Sequence, residues 1–124
     1  MHRLFLMIGG ILMALAVALG AFGAHGLKKI LSQEMLTIFE TGISYHFYHA
    51  LGLLAVGLVA RHLPNSALLS WSGWLMLAGI VIFSGSLYFL SISGIRWLGA
   101  ITPIGGLCFI ASWILFVMTI WKEL

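Results

Sequence analysis

The sequence predicts an all-α fold, a four-span transmembrane helical bundle with a short interfacial amphipathic helix between spans 1 and 2. Three observations predict it. Of the 124 residues, 62% are hydrophobic and 7% are charged, and Asp is absent; soluble domains carry about 25% charged residues. A water-soluble chain this short could not hide so much apolar surface, because small domains bury a smaller fraction of theirs. The apolar residues also fall into four runs long enough to cross a bilayer, which takes about 20 residues. Finally, the links between these runs are short, so consecutive spans pair as antiparallel hairpins. The chain reads as a single membrane domain over residues 1–124.

Span 1 is expected from Leu4 to Ala24. The opening "MHR" with an apolar run behind it resembles a secretory signal, but the run exceeds the usual signal core of about 7–15 residues and is read as a retained span. The link from Leu27 to Thr41 mixes Lys28, Lys29, Glu34 and Glu40 with Ile30, Leu31, Met35, Leu36 and Phe39. That mixture suits a short helix lying on the membrane surface, capped by Ser32 with Glu34 in its first turn. An early start of span 2 is the alternative. Span 2 is expected from Gly42 to Ala60. In "HLPNS" (His62 to Ser66), Pro64 ends helical structure and Asn65 or Ser66 can cap the next helix. Span 3 is expected from Trp71 to Leu90, and span 4 from Ile101 to Trp121. At the start of span 4, "ITP" reads as Thr102 capping a helix with Pro103 at its first position.

The net charge of +3 comes from six scattered Lys and Arg, with no basic run. Nucleic acid is therefore not an expected partner; the lipid bilayer is. Four spans put both termini on one side, with Arg3, Arg61 and Lys122, against Lys28, Lys29 and Arg96 on the other. The positive-inside rule does not choose between orientations in such a tie, and the N-terminal amine adds a slight preference for termini inside. The single cysteine, Cys108, cannot form a disulfide within the chain.

The polar residues fall unevenly. On one side span 1 ends with Gly23, His25 and Gly26, and span 2 begins with Tyr45, His46, Tyr48 and His49. There span 3 ends with Ser84, Ser86, Tyr88, Ser91 and Ser93, and span 4 begins with Thr102, Pro103, Gly105 and Gly106. The opposite side carries mainly tryptophan anchors, Trp71, Trp74 and Trp121. Polar groups in hydrocarbon are costly unless paired, and ionisable ones face the bundle interior. One shared polar cluster in one leaflet is the expectation, built from His25, Tyr45, His46, His49, Ser84, Ser86, Tyr88 and Thr102. His46 and His49, three apart, share a helix face to within about 60°. Tyr45, Tyr48 and Tyr88 are read first as interfacial aromatics with hydroxyls toward the headgroups. Small residues allow close helix approach, so Ala16, Gly20, Gly23, Gly26, Gly85, Gly105 and Gly106 are the expected packing positions.

Four stretches, "GAFGAHG" (20–26), "YHFYHAL" (45–51), "FSGSLY" (83–88) and "TPIGG" (102–106), resemble together and in order the integral membrane proteins of the Domain of Unknown Function 423 family (YgdD/YwdK-like), with its transmembrane-protein-256 branch. The resemblance covers essentially the whole chain. It implies a four-span protein, in bacteria at the cytoplasmic membrane, and it implies no assigned activity. The family often carries Gln at the position of His46, which weighs against a two-histidine metal motif as a family function.

Three functional readings are open on the residues alone. The favoured one is a structural or accessory membrane protein whose polar cluster fixes helix register and whose small-residue faces drive self-association or docking to a membrane partner. The second is transport of a small solute or protons by an oligomer, with His25, His46 and His49 carrying protons; no deep Asp or Glu accompanies them. The third is a metal or cofactor site on the same histidines, with no second cysteine or deep carboxylate to complete it. No nucleophile and base have convincing spacing, so the chain reads as a non-enzyme that calls for no cofactor.

Overall fold

A computed structural model describes residues 1–124. Helix α1 spans His2–His25 and α2 spans Gln33–Ala60. Helix α3, Ala67–Gly79, continues through a π-helical turn, Ile80–Ser84, into α4, Gly85–Ser93, as one rod. Helix α5 spans Thr102–Glu123. All four rods are long and apolar enough to cross a membrane.

Local chemistry sets their ends. Ser32 and Ser66 cap α2 and α3, their hydroxyl oxygens accepting from the Met35 and Leu69 amides at 3.2 and 3.1 Å. The Ser66 hydroxyl also donates to the Glu123 carboxylate at 2.6 Å, tying the start of α3 to the end of α5. Helix α4 stops at Gly94, whose φ of 74° is left-handed, a conformation glycine adopts without the Cβ penalty.

Two expectations change here. No separate interfacial helix forms: after a 3₁₀ turn at Leu27–Lys29, α2 starts at Gln33 and runs unbroken to Ala60. The physical reason is that Ser32 supplies the cap and nothing between Gln33 and Gly42 breaks the helix. Leu36 and Phe39, expected on a lipid-facing surface, instead pack with Leu27 in a small buried cluster. Thr102 is no cap either. It lies inside the first turn of α5, where its hydroxyl turns to Ser86 at 2.6 Å.

In lipid, helices gain nothing from leaving water, so close packing and cross-helix hydrogen bonds must hold them. The main core joins Phe5, Leu53, Val56, Leu69, Met76 and Phe109 from α1, α2, α3 and α5. Beside it Gly105 of α5 lies against the backbone of the π turn: a Cβ there would overlap the Phe83 amide nitrogen. Helices α2 and α3–α4 lie inside, with 44% of each apolar window buried, against 17% for α1 and 22% for α5.

Candidate functional site

Helix α2 carries two histidines one turn apart, 3% and 5% exposed. The His46 Nε2 lies 2.8 Å from the Leu12 carbonyl of α1. A carbonyl only accepts, so Nε2 carries the hydrogen. The Nδ1 of the neutral ring then accepts the Tyr88 hydroxyl of α4, at 2.7 Å. His49 is the reverse. Its Nδ1 lies 2.8 Å from the Tyr45 carbonyl one turn back and carries the hydrogen, while Nε2 accepts the indole N–H of Trp113 on α5, at 2.9 Å. Indole only donates, which fits. As neutral rings the two histidines thus hold opposite tautomers, with all four nitrogens bonded inside the protein.

Ring packing reinforces the second site. His49 stacks on Phe109 with centroids 3.5 Å apart and planes 8° from parallel. Tyr45 packs against Phe83 at 4.5 Å. Beside them Tyr45, Phe83, Phe109, Ile110 and Trp113 line an open groove of about 400 Å³.

The remaining polar side chains form short separate ties. Ser84 donates to the Gly42 carbonyl at 2.7 Å, joining the π turn to α2. Ser86 pairs with Thr102 at 2.6 Å, joining α4 to α5. Ser72 and Ser112, which stand in no motif of the sequence, add a tie between α3 and α5: Ser72 donates to the Ser112 carbonyl at 2.8 Å. No buried polar side-chain atom lacks a partner.

The sequence-named residues therefore do not form one hydrogen-bonded network. His46 with Tyr88 ties α2 to α1 and α4, Ser84 ties the π turn to α2, and Tyr45 and His49 pack toward α5. His25 joins neither group and stands exposed at the end of α1. Tyr88 is not interfacial; its hydroxyl is held by His46. Trp113 was missed, since a tryptophan in an apolar run reads as a lipid-facing anchor. The glycines divide as well. A Cβ on Gly23 would meet the Phe39 ring at 2.7 Å, and Ala16 is 1% exposed. A Cβ on Gly85 would meet nothing within 4 Å, one on Gly106 would lie 3.9 Å from the Phe83 ring, and one on Gly20 would make ordinary contact with Ile43 at 3.7 Å. A Cβ on Gly26 would meet Phe22 of its own helix. At Gly85, Gly106 and Gly20 there is room for a side-chain carbon, and at Gly26 the close neighbour belongs to α1 itself.

Known proteins are similar to this chain over most of its length. A family profile described as "Protein of unknown function (DUF423)" matches residues 19–106. The chain is similar to UPF0382 membrane protein YwdK of Bacillus subtilis, 51% identical over 122 residues, covering 98% of this chain and 99% of that one. It is similar to UPF0382 membrane proteins of Staphylococcus haemolyticus and Staphylococcus epidermidis, 44% and 47% identical, each over 97% of both chains. No solved structure matches it. With four spans and these near full-length relatives, the chain is a multi-pass membrane protein that belongs to the DUF423 family.

Proposed function

We propose that this chain is an accessory membrane protein without catalytic chemistry of its own. In this reading His46, His49, Tyr88, Ser84, Ser86 and Thr102 fix the register of the four spans. The observation that carries the reading is the complete internal bonding of both histidines. A metal needs a free ring lone pair; both are occupied by Tyr88 and Trp113. A proton added at His49 Nε2 would set two N–H donors against each other. The outer faces of α1 and α5, rich in exposed Met7, Ile11, Ile110, Ile114 and Val117, are the surfaces left for a second copy or another membrane protein.

The test is zinc titration of the detergent-solubilised protein, followed by thermal unfolding. Wild type and His49→Ala should show the same small response to zinc. Zinc stabilisation that vanishes in His49→Ala would return the histidines to a ligand role.

A further inference from the structure

A second groove lies between α1 and α2, beside the "GAFGAHG" stretch, and holds about 220 Å³. Gly20, Gly23 and Ala24 form its α1 wall; Glu40 and Ser44 stand on its α2 wall. The Glu40 carboxylate makes no hydrogen bond and no ion pair within the chain, whose one ion pair joins Arg96 to Glu34. The Ser44 hydroxyl donates to the Glu40 carbonyl at 3.1 Å. Its hydrogen is thereby committed and its oxygen is left as an acceptor. The polar side chains of the groove offer acceptors only.

The depth of the groove narrows what fills it. At 1.5 Å per residue the 28 residues of α2 measure about 42 Å, against a hydrocarbon core of about 30 Å. The surplus falls at the N-terminal end, where Gln33, Glu34, Thr37, Glu40 and Thr41 gather. Glu40 stands exposed about 10 Å along the axis from Gln33, and that surplus puts it near the boundary between headgroups and hydrocarbon. A carboxylate without a partner is costly there, and a cation relieves it.

We propose that this groove binds the primary ammonium of a lipid headgroup, as carried by an ethanolamine phospholipid. An acceptor-only site selects N–H donors, and the carboxylate selects positive charge. A quaternary choline headgroup brings the charge without an N–H. Lys28 and Lys29, exposed on the turn at the same end of α1, suit the phosphate of such a lipid. At Gly20, where a Cβ would meet only Ile43, the missing side chain lets the headgroup approach the backbone closely.

The experiment counts lipids on the purified protein by native mass spectrometry, in micelles doped with phosphatidylethanolamine or phosphatidylcholine of matched chains. Wild type should favour phosphatidylethanolamine by about tenfold, the worth of one charge-assisted hydrogen bond. Glu40→Gln should bring the two lipids near parity. Gly20→Leu, which extends a side chain into the groove from a position where a Cβ meets only Ile43 Cγ2 at an ordinary 3.7 Å, should remove the bound ethanolamine lipid. Equal binding of both lipids by wild type overturns the proposal, as does an undiminished preference in Glu40→Gln. Full displacement of the lipid by millimolar soluble ethanolamine would overturn its lipid part.

Discussion

His46 and His49 share a helix, a chemistry and a near-identical burial, yet they hold opposite tautomers and do different mechanical work. His46 is a bridge: its two nitrogens reach two other helices, α1 through the Leu12 carbonyl and α4 through Tyr88. His49 is a strut: one nitrogen returns to its own helix and only the other crosses, to Trp113 of α5. Each partner's donor or acceptor nature sets the tautomer, and the helix rotation of about 60° between the two positions sets which partners are met. Equal burial therefore does not imply equal weight in holding the bundle.

The largest expected effect is at the bridge. His46→Leu removes two cross-helix bonds and leaves the Tyr88 hydroxyl without its acceptor, a cost of about 2–4 kcal/mol. Reversible unfolding in mixed micelles measures it. His49→Leu should cost less, about 1–2 kcal/mol, because only one cross-helix bond is lost with the Phe109 stack weakened. If His49→Leu proves the more damaging of the pair, the contrast between bridge and strut is wrong.

Trp113→Phe sharpens the strut alone. It keeps an aromatic ring and deletes the N–H, so the expected cost is that of one intramembrane hydrogen bond, about 0.6 kcal/mol on average and at most about 1.7. A second readout separates bonding from packing. The imidazole ¹⁵N resonances of His49 should shift in Trp113→Phe while those of His46 stay in place. Movement of both sets together would mean that the two sites are one coupled network.

How much of this was legible depends on the length scale of the signal. Four spans were legible because each is a long apolar run, and the Ser32 and Ser66 caps because a capping oxygen acts on amides three residues away. The interior placement of His46 and His49 followed from the cost of an unpaired ring in lipid. Their partners did not follow. Trp113 lies 64 residues from His49, and nothing local in α5 fixes the rotation that brings its indole inward. The π turn at Ile80–Ser84 was equally silent, since no proline marks it and the serines and glycine of "FSGS" read as polar and small positions of an ordinary helix. It is set by contact, with Gly105 pressed on Phe83 and Ser84 bonded to α2. The interfacial helix was misjudged because charge on one face of a segment reports exposure, not whether a helix ends there.

The smallest expected effect is the most discriminating. A neutral imidazole offers one donor and one acceptor, and so does a carboxamide. In His46→Gln, Nε2 can donate to the Leu12 carbonyl while Oε1 accepts the Tyr88 hydroxyl, so the bridge stands with other atoms. The cost should stay within about 0.6 kcal/mol, less than one average bond of this kind. Tyr88→Phe then serves as the partner change: it should cost about 1 kcal/mol both in wild type and in the His46→Gln background. Glutamine cannot replace an imidazole as metal ligand or proton carrier, so wild-type stability in His46→Gln identifies bridging as what the bundle needs from this position. A loss as large as that of His46→Leu would show instead that the ring itself, through its shape or its packing beside Tyr88, does the work assigned here to its two hydrogen bonds.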